Sequence, residues 1–492
     1  FRLVGPSVQA SNFVSALMRS LILLPVMALA WHFFGRREAV VAGVLYTASP
    51  AWTGVGANTL TDSTYAFFMY LMLWLFVLYW TRPTARVALL SGAAFALMAL
   101  SREEGLLLGL FLAAVLLLRH RWAHLGSYLA MPIVLLGGWE LYLWRTFGEL
   151  PYAARPLLFL GYYEFVLALT VPTLHQYLAS VGGWGQAINI RLFNYVGYIR
   201  KLVADGLIID QGAPGVFPVT FLIPLGIAGW KVVKDLRASQ GLRPKAGLLV
   251  LLALGLVLQG AATLGFVGYP EGGVGDFRHI QFMTPFLLIL AAAGLVWLWE
   301  RSTVGKGLVG LLAAQFIVFS LFYHSLLIDD LVVAPPYDSA EIRALRQAAP
   351  ALEPNAILMS RRSNRAAYYS GHPAVIMPLA GFKDLMAYAQ AHHVTHLLIA
   401  PQDLRSRPGL EEGLAAAGDA VSLLCQQGRV QILEVRDYDF LAAIPDGGPL
   451  DETIDLAAPA PPPDWSELIR RATPSTASQV WLTWQRWVGA TP

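Results

Sequence analysis

A mainly α-helical, polytopic transmembrane bundle followed by a small extracytoplasmic α/β domain is the architecture this sequence predicts. Three observations lead there. Of 492 residues, 56% are hydrophobic and only 14% are charged, whereas ordinary soluble domains carry about a quarter charged residues. Apolar runs of bilayer length recur through the first two thirds of the chain, separated by short clusters of Lys and Arg. Beyond Ile328 that pattern stops, and short apolar runs alternate with polar helical segments. The net charge of +3 is small and scattered among loops, so no basic stripe suits nucleic acid. A single cysteine, Cys425, excludes an intrachain disulfide and reads as a small core residue.

A helix needs about 20 residues, each rising ~1.5 Å, to cross a hydrocarbon layer ~30 Å thick. Ten segments read as spans: 12–34, 38–54, 63–80, 86–100, 105–118, 125–144, 214–233, 246–267, 280–299 and 307–328. Cytoplasmic loops are enriched in Lys and Arg. By that rule the loops carrying Arg36 and Arg37, Arg82 and Arg86, Arg119 and Arg121, Lys231 to Lys245, and Arg301 and Lys306 are cytoplasmic. Loops 58–62, 101–104, 145–212 and 269–279 then face outward, as does everything after Ile328. The spans 86–100 and 105–118 are too short to cross unaided. Their junction therefore either sits below the surface, facing a wet cavity or a partner, or forms a solvated hairpin tip. Because the chain opens on Phe1 without a signal-peptide pattern, the extreme N-terminus, with one span and the first outer loop, is expected to be missing.

The long connection 145–212 mixes polar residues with aromatic clusters such as Tyr162-Tyr163. It suits either interfacial helices or a packing loop. In the last third, helices are predicted over 338–349, 383–392 and 409–417, and strands over 356–360, 395–400, 420–425 and 430–435. Neither GxGxxG nor a Walker loop is present, so nucleotide binding is not indicated. Residues 444–464, rich in Pro, Gly, Ala and Asp, read as a linker. Trp481, Trp484 and Trp487 follow near helical spacing, on a segment that suits either the membrane surface or the α/β domain. The expected division is thus 1–328, 329–437 and 438–492.

Four outward features carry chemistry. Asn58 and Asp62 stand where a span begins, and a carboxylate there is either a helix cap or a group that orients a hydroxyl. Arg102-Glu103-Glu104 forms either an internal ion-pair cluster or a site in which a guanidinium holds phosphate while a carboxylate binds sugar hydroxyls. Asp276, Arg278 and His279 precede the span at 280, where Arg278 either grips phosphate with its planar fork or snorkels to headgroups. His392, His393 and His396 lack the spacing and nearby acid of a metal site.

In their order and sidedness these motifs resemble the GT-C membrane glycosyltransferases, in particular the protein O-mannosyltransferase and aminoarabinose transferase relatives. The residues that carry the likeness are Phe34-Gly35-Arg36-Arg37, Ser49-Pro50, Leu60-Thr61-Asp62, Leu100 to Gly105, Arg278-His279 with Pro285, Ile357 to Arg361, and Ala367 to Gly371. The resemblance implies a polyprenyl-phosphate-linked sugar donor, transfer at the outer face, and a C-terminal domain near an acceptor that is glycan, lipid or protein. It also implies a catalytic Asp in a first outer loop that this chain begins too late to contain in full. By the same analogy Asp62 is a second carboxylate, Arg102 a site arginine and Arg278 a phosphate contact. Asp62, Arg102 and Glu103 are the candidates for catalysis, and Asn58, Glu104, Asp276, Arg278 and His279 for substrate binding. No cofactor is called for, and the divalent metal of some relatives finds no convincing ligand set. A plasma membrane protein is expected. The alternative, a transporter or flippase of lipid-linked sugars, calls for internal repeats and midplane charges, whereas here the charges gather at the outer ends.

Overall fold

The computed structural model describes residues 8–49, 61–102, 104–147, 219–237, 243–264, 281–333, 339–407, 409–445 and 450, with short stretches between 175 and 195. It separates into two compact units, one helical and one built around a sheet.

The helical unit contains α1 (Val8–Phe33), α2 (Arg36–Ala48), α3 (Asp62–Thr81), α4 (Ala85–Ser101), α5 (Gly105–Leu118) and α6 (Trp122–Phe147). It continues with α7 (Leu222–Arg237), α8 (Arg243–Leu264), α9 (Thr284–Arg301) and α10 (Thr303–Val333). Each of the ten predicted spans overlaps one of these helices, and among the described residues four, over Ala10–Phe33, Asp62–Thr81, Thr284–Arg301 and Thr303–Leu321, are long and apolar enough to cross a bilayer. Three of the others are short for local reasons. The predicted span 38–54 ends as a helix at Ala48 after 13 residues, the first three of them charged. At 17 and 14 residues, α4 and α5 reach only about 25 and 21 Å.

α3 sits at the centre. It packs on α1 and α4 and buries Tyr65, Met69, Tyr70, Met72, Leu73 and Phe76. In a bilayer the apolar solvent removes most of the hydrophobic drive, so close contact between helices decides packing. α4 presents Ala88, Ser91, Gly92, Ala94, Ala96 and Ala99 to its neighbours, and α6 approaches until a Cβ on Gly92 would overlap the Tyr128 carbonyl oxygen.

Cationic loops collect at one end of this unit. Arg37 meets Glu300 at 2.6 Å, the Arg119 guanidinium lies 4.0 Å from the Trp80 ring centre, and Lys231 lies 5.8 Å from that of Phe34. Asp62 stands at the opposite end of α3, about 30 Å away along twenty residues.

The second unit contains α11 (Ala340–Ala348), β1 (Leu358–Ser360), α12 (Ser363–Ser370), β2 (Ala374–Ile376), α13 (Phe382–Ala391), β3 (His396–Ile399), α14 (Pro401–Ser406), α15 (Leu410–Ala416), β4 (Val421–Gln427) and β5 (Val430–Val435). Strand order is β2-β1-β3-β5-β4, with β2, β1 and β3 parallel and β5 antiparallel to both β3 and β4. Leu358 and Leu398 face a core shared with α11 and α12, while Met359, Leu397 and Ile399 face one shared with α13. Near-continuous apolar runs in β1 and β3 follow from this two-sided burial. The pattern reading missed α12, β2 and α14, because β2 is three residues long and the two helices are short and polar. Tyr438, Phe440, Leu441 and Ile444 pack on the α13 core, so ordered structure runs past 437. Most of the expected 444–464 linker, the three tryptophans and most of 145–212 lie outside the described residues.

Candidate functional site

Asp62 occupies the first turn of α3 with Thr61 as its N-cap, and no side-chain cap bond forms there. Instead its Oδ1 accepts from Arg102 Nη1, forty residues away in sequence. Arg102 ends α4, anchored by its own N–H on the Met98 carbonyl at 3.0 Å. From that position its guanidinium also grips Glu104 in a fork, Nε to Oε2 at 3.1 Å and Nη2 to Oε1 at 2.8 Å. Bidentate pairs of this kind fix orientation as well as charge. The three side chains are only 14% (Arg102), 8% (Asp62) and 19% (Glu104) exposed. The junction of α4 and α5 is therefore an enclosed ion-pair cluster and not a solvated tip.

Neighbouring helices hold this cluster in place. The Tyr65 ring, one turn into α3, lies 5.9 Å from the Arg102 guanidinium and meets Phe282 edge-on at 6.0 Å. Gln259, fully buried on α8, donates to the Glu104 carbonyl and accepts from the Leu108 N–H at 3.0 Å. Its amide thereby inserts where the first intrahelical bond of α5 would close. Tyr70 bonds the Phe282 carbonyl at 2.7 Å and accepts from the Phe286 N–H at 2.9 Å, tying the start of α9 to α3. Gly105 permits the tight turn, since a Cβ there would press on Met98 at 2.8 Å and Tyr65 at 3.2 Å.

The structure thus brings together Asp62, Arg102 and Glu104. Asn58, Glu103, Asp276, Arg278 and His279 lie outside the described residues. Sequence reasoning missed Tyr65 and Gln259, although a lone glutamine inside the apolar run 246–267 is itself a signal, because a polar group in hydrocarbon needs a partner. It also passed over Arg19, which lies within α1 about 21 Å from Phe33 and whose carbonyl accepts from the Tyr46 hydroxyl at 2.7 Å. The three histidines diverge: the His392 ring lies tilted against that of Tyr388, 4.2 Å between centres, His393 adopts a positive φ of 53°, and buried His396 contacts the Thr395 hydroxyl at 2.9 Å.

The chain thus combines an apolar helical bundle, with cationic loops at one end and an enclosed carboxylate and guanidinium cluster at the other, with a separate α/β unit. Residues 1–139 match the family model described as dolichyl-phosphate-mannose-protein mannosyltransferase. In fold the chain is similar to ArnT from Cupriavidus metallidurans bound to undecaprenyl phosphate, with a TM-score of 0.52 at 15% identity over 88% of this chain and 85% of that one. A more distant similarity is to the archaeal oligosaccharyltransferase AglB from Archaeoglobus fulgidus, with a TM-score of 0.45 at 13% identity over 79% of this chain and 58% of that one. No curated relative matches at significant similarity. The likeness to the O-mannosyltransferase and aminoarabinose transferase group, drawn from motifs alone, agrees with these findings.

Proposed function

We propose that this chain is an integral membrane glycosyltransferase that moves a sugar from a polyprenyl-phosphate donor to an acceptor hydroxyl at the extracytoplasmic face. The observation that carries the reading is the Asp62–Arg102–Glu104 cluster, enclosed at the end of the bundle away from the cationic loops. The family match of residues 1–139 and the fold shared with ArnT support it. Cytoplasmic loops are enriched in Lys and Arg, which supports the reading that the cluster and the C-terminal unit belong to the extracytoplasmic side of the plasma membrane.

In the reaction the acceptor oxygen attacks the anomeric carbon as the bond from that carbon to the phosphate oxygen breaks. The electron pair leaves with the lipid phosphate, and the hydroxyl proton passes to a carboxylate. Asp62, fixed by Arg102, aligns the sugar or the acceptor hydroxyl, and Glu103 and Glu104 supply further carboxylates beside it. The Arg102 guanidinium offsets charge as the phosphate departs, with Arg278 as direct phosphate ligand and Asn58, Asp276 and His279 completing the donor site. A cavity open at the interface lets the polyprenyl tail stay in lipid while the sugar meets water. The acceptor is a glycan, lipid or protein hydroxyl.

Full-length protein in nanodiscs, given labelled polyprenyl-phosphate sugars and candidate acceptors, tests the proposal. Asp62→Asn and Arg278→Ala are each expected to lower transfer by about 10²-fold or more while insertion is unchanged. Wild-type turnover in both variants would overturn the site assignment.

A further inference from the structure

In the sheet unit, the three parallel strands end side by side, and their carboxyl ends gather four arginines and two carboxylates. β1 delivers Arg361 and Arg362, α12 adds Arg365, and Arg407 follows α14 beyond β3. β1 connects outward to β2, whereas β2 connects back across β1 to β3, and the two linking helices, α12 and α13, cover opposite faces. Such a reversal is a topological switch point, where open α/β sheets leave a crevice beyond the strand ends.

Among the described residues, charge at these strand ends does not balance. Asp403 Oδ1 lies 3.2 Å from Arg407 Nη1 and 3.4 Å from Arg361 Nε. Glu341 Oε2 on α11 lies 3.0 Å from Arg365 Nη1 and 3.5 Å from Arg362 Nη1. Four guanidiniums against two carboxylates leave two positive charges over. Arg407 is sealed in the interior and spends its other donors on the Met377 and Pro378 carbonyls, 2.8 Å each, so it acts as a brace for Asp403. Arg361 is differently placed. Its side chain is 22% exposed, yet its buried Nε has no hydrogen bond, since Asp403 stands within ion-pair range but outside bonding geometry. Arg362, 47% exposed, follows a turn pinned by its own N–H on the Ser360 hydroxyl at 3.1 Å.

We propose that this switch point binds a phosphate monoester, gripped by Arg361 and Arg362 with Arg365 alongside. A phosphate monoester carries about −1.5 to −2 charge at neutral pH, which matches the surplus. Guanidinium forks meet phosphate oxygens in pairs, and the Arg361, Arg362 and Arg365 side chains are 22%, 47% and 31% exposed, open to such a ligand. The phosphate belongs to a lipid headgroup or to a soluble ester, two sources with the same chemistry. The inference rests on this unit alone and stands whether or not the helical unit transfers sugar.

Full-length protein in nanodiscs of neutral lipid, titrated with inorganic phosphate by calorimetry, tests it. Saturable binding of phosphate is expected, weakened at least ~10-fold in Arg361→Gln and in Arg362→Gln and unchanged in Arg429→Gln, an exposed residue of the β4–β5 turn. Because Arg362 is half exposed, its variant retains the fold and keeps the test valid if Arg361→Gln does not. Phosphatidic acid added to the nanodisc competes with phosphate if the source is a headgroup and leaves the titration unchanged if it is soluble, and both results support the site. Absence of saturable binding to wild type, or equal affinity in Arg362→Gln, overturns it.

Discussion

Asp62, Arg102 and Glu104 show why enclosed charge at the end of an apolar helical bundle demands company. An unpaired charge there would cost several kcal/mol, and the fork from Arg102 to Glu104 with the further bond to Asp62 removes that penalty. A neutral residue keeps the cluster aligned: Gln259 holds the α5 backbone on which Glu104 sits. Gln259→Met, close in volume, leaves the Glu104 carbonyl and the Leu108 N–H without their amide. The expected cost is about 1–3 kcal/mol, read as a lower unfolding midpoint in nanodiscs. An unchanged midpoint would mean that the turn does not depend on the amide.

Among the helices, closeness of approach is set by small residues, and the effect is selective. A Cβ on Gly92 of α4 would collide with the Tyr128 carbonyl, whereas one on Gly126 of α6 would meet nothing within 4 Å. Gly92→Ala is therefore expected to destabilise the bundle by about 1–3 kcal/mol through overpacking, with Gly126→Ala close to neutral. Thermal unfolding of the two variants in one lipid checks this, and equal midpoints would refute the close α4–α6 contact. In the sheet unit the elements divide by a different rule. β1 and β3 are buried on both faces, α12 covers one of those faces beside α11, and α14 turns the chain at the end of β3, where Arg361, Asp403 and Arg407 meet.

At the scale of the whole chain, the sheet unit carries a pH response of its own. In the sheet unit burial lowers the His396 imidazole below its ordinary value near 6.5, against the opposing pull of Glu434. The unfolded chain then binds a proton that the folded unit refuses, so stability falls as pH drops from about 6.5 toward the lowered value and is constant below it. Cys425, the chain's one cysteine and buried in β4, reports opening of this unit. Denaturant midpoints from Cys425 labelling are expected to decline between pH 7 and 5 in wild type and less steeply in His396→Gln. Parallel slopes would exclude His396 as the source.

The sequence by itself determined the class of the fold and the ends of the bundle. Apolar period, length and the placement of Lys and Arg are local properties, and a bilayer imposes its thickness and charge asymmetry on any chain in the same way. Composition likewise marked the change at Ile328, and four strands of the α/β unit were legible because two-sided burial leaves runs of apolar residues. Asp62, Arg102 and Glu104 were each legible as candidates. What sequence left open, whether the Asp62 side chain caps its helix or pairs elsewhere and whether the turn at 101–104 is a solvated tip or an ion-pair cluster, only tertiary structure decided, because the bond between Asp62 and Arg102 joins residues forty apart and the amide of Gln259 reaches Glu104 from 155 residues away. The same holds for the arginines at the sheet's switch point. Their surplus charge exists only once three strand ends and α11 are folded together, and no window along the chain contains that sum.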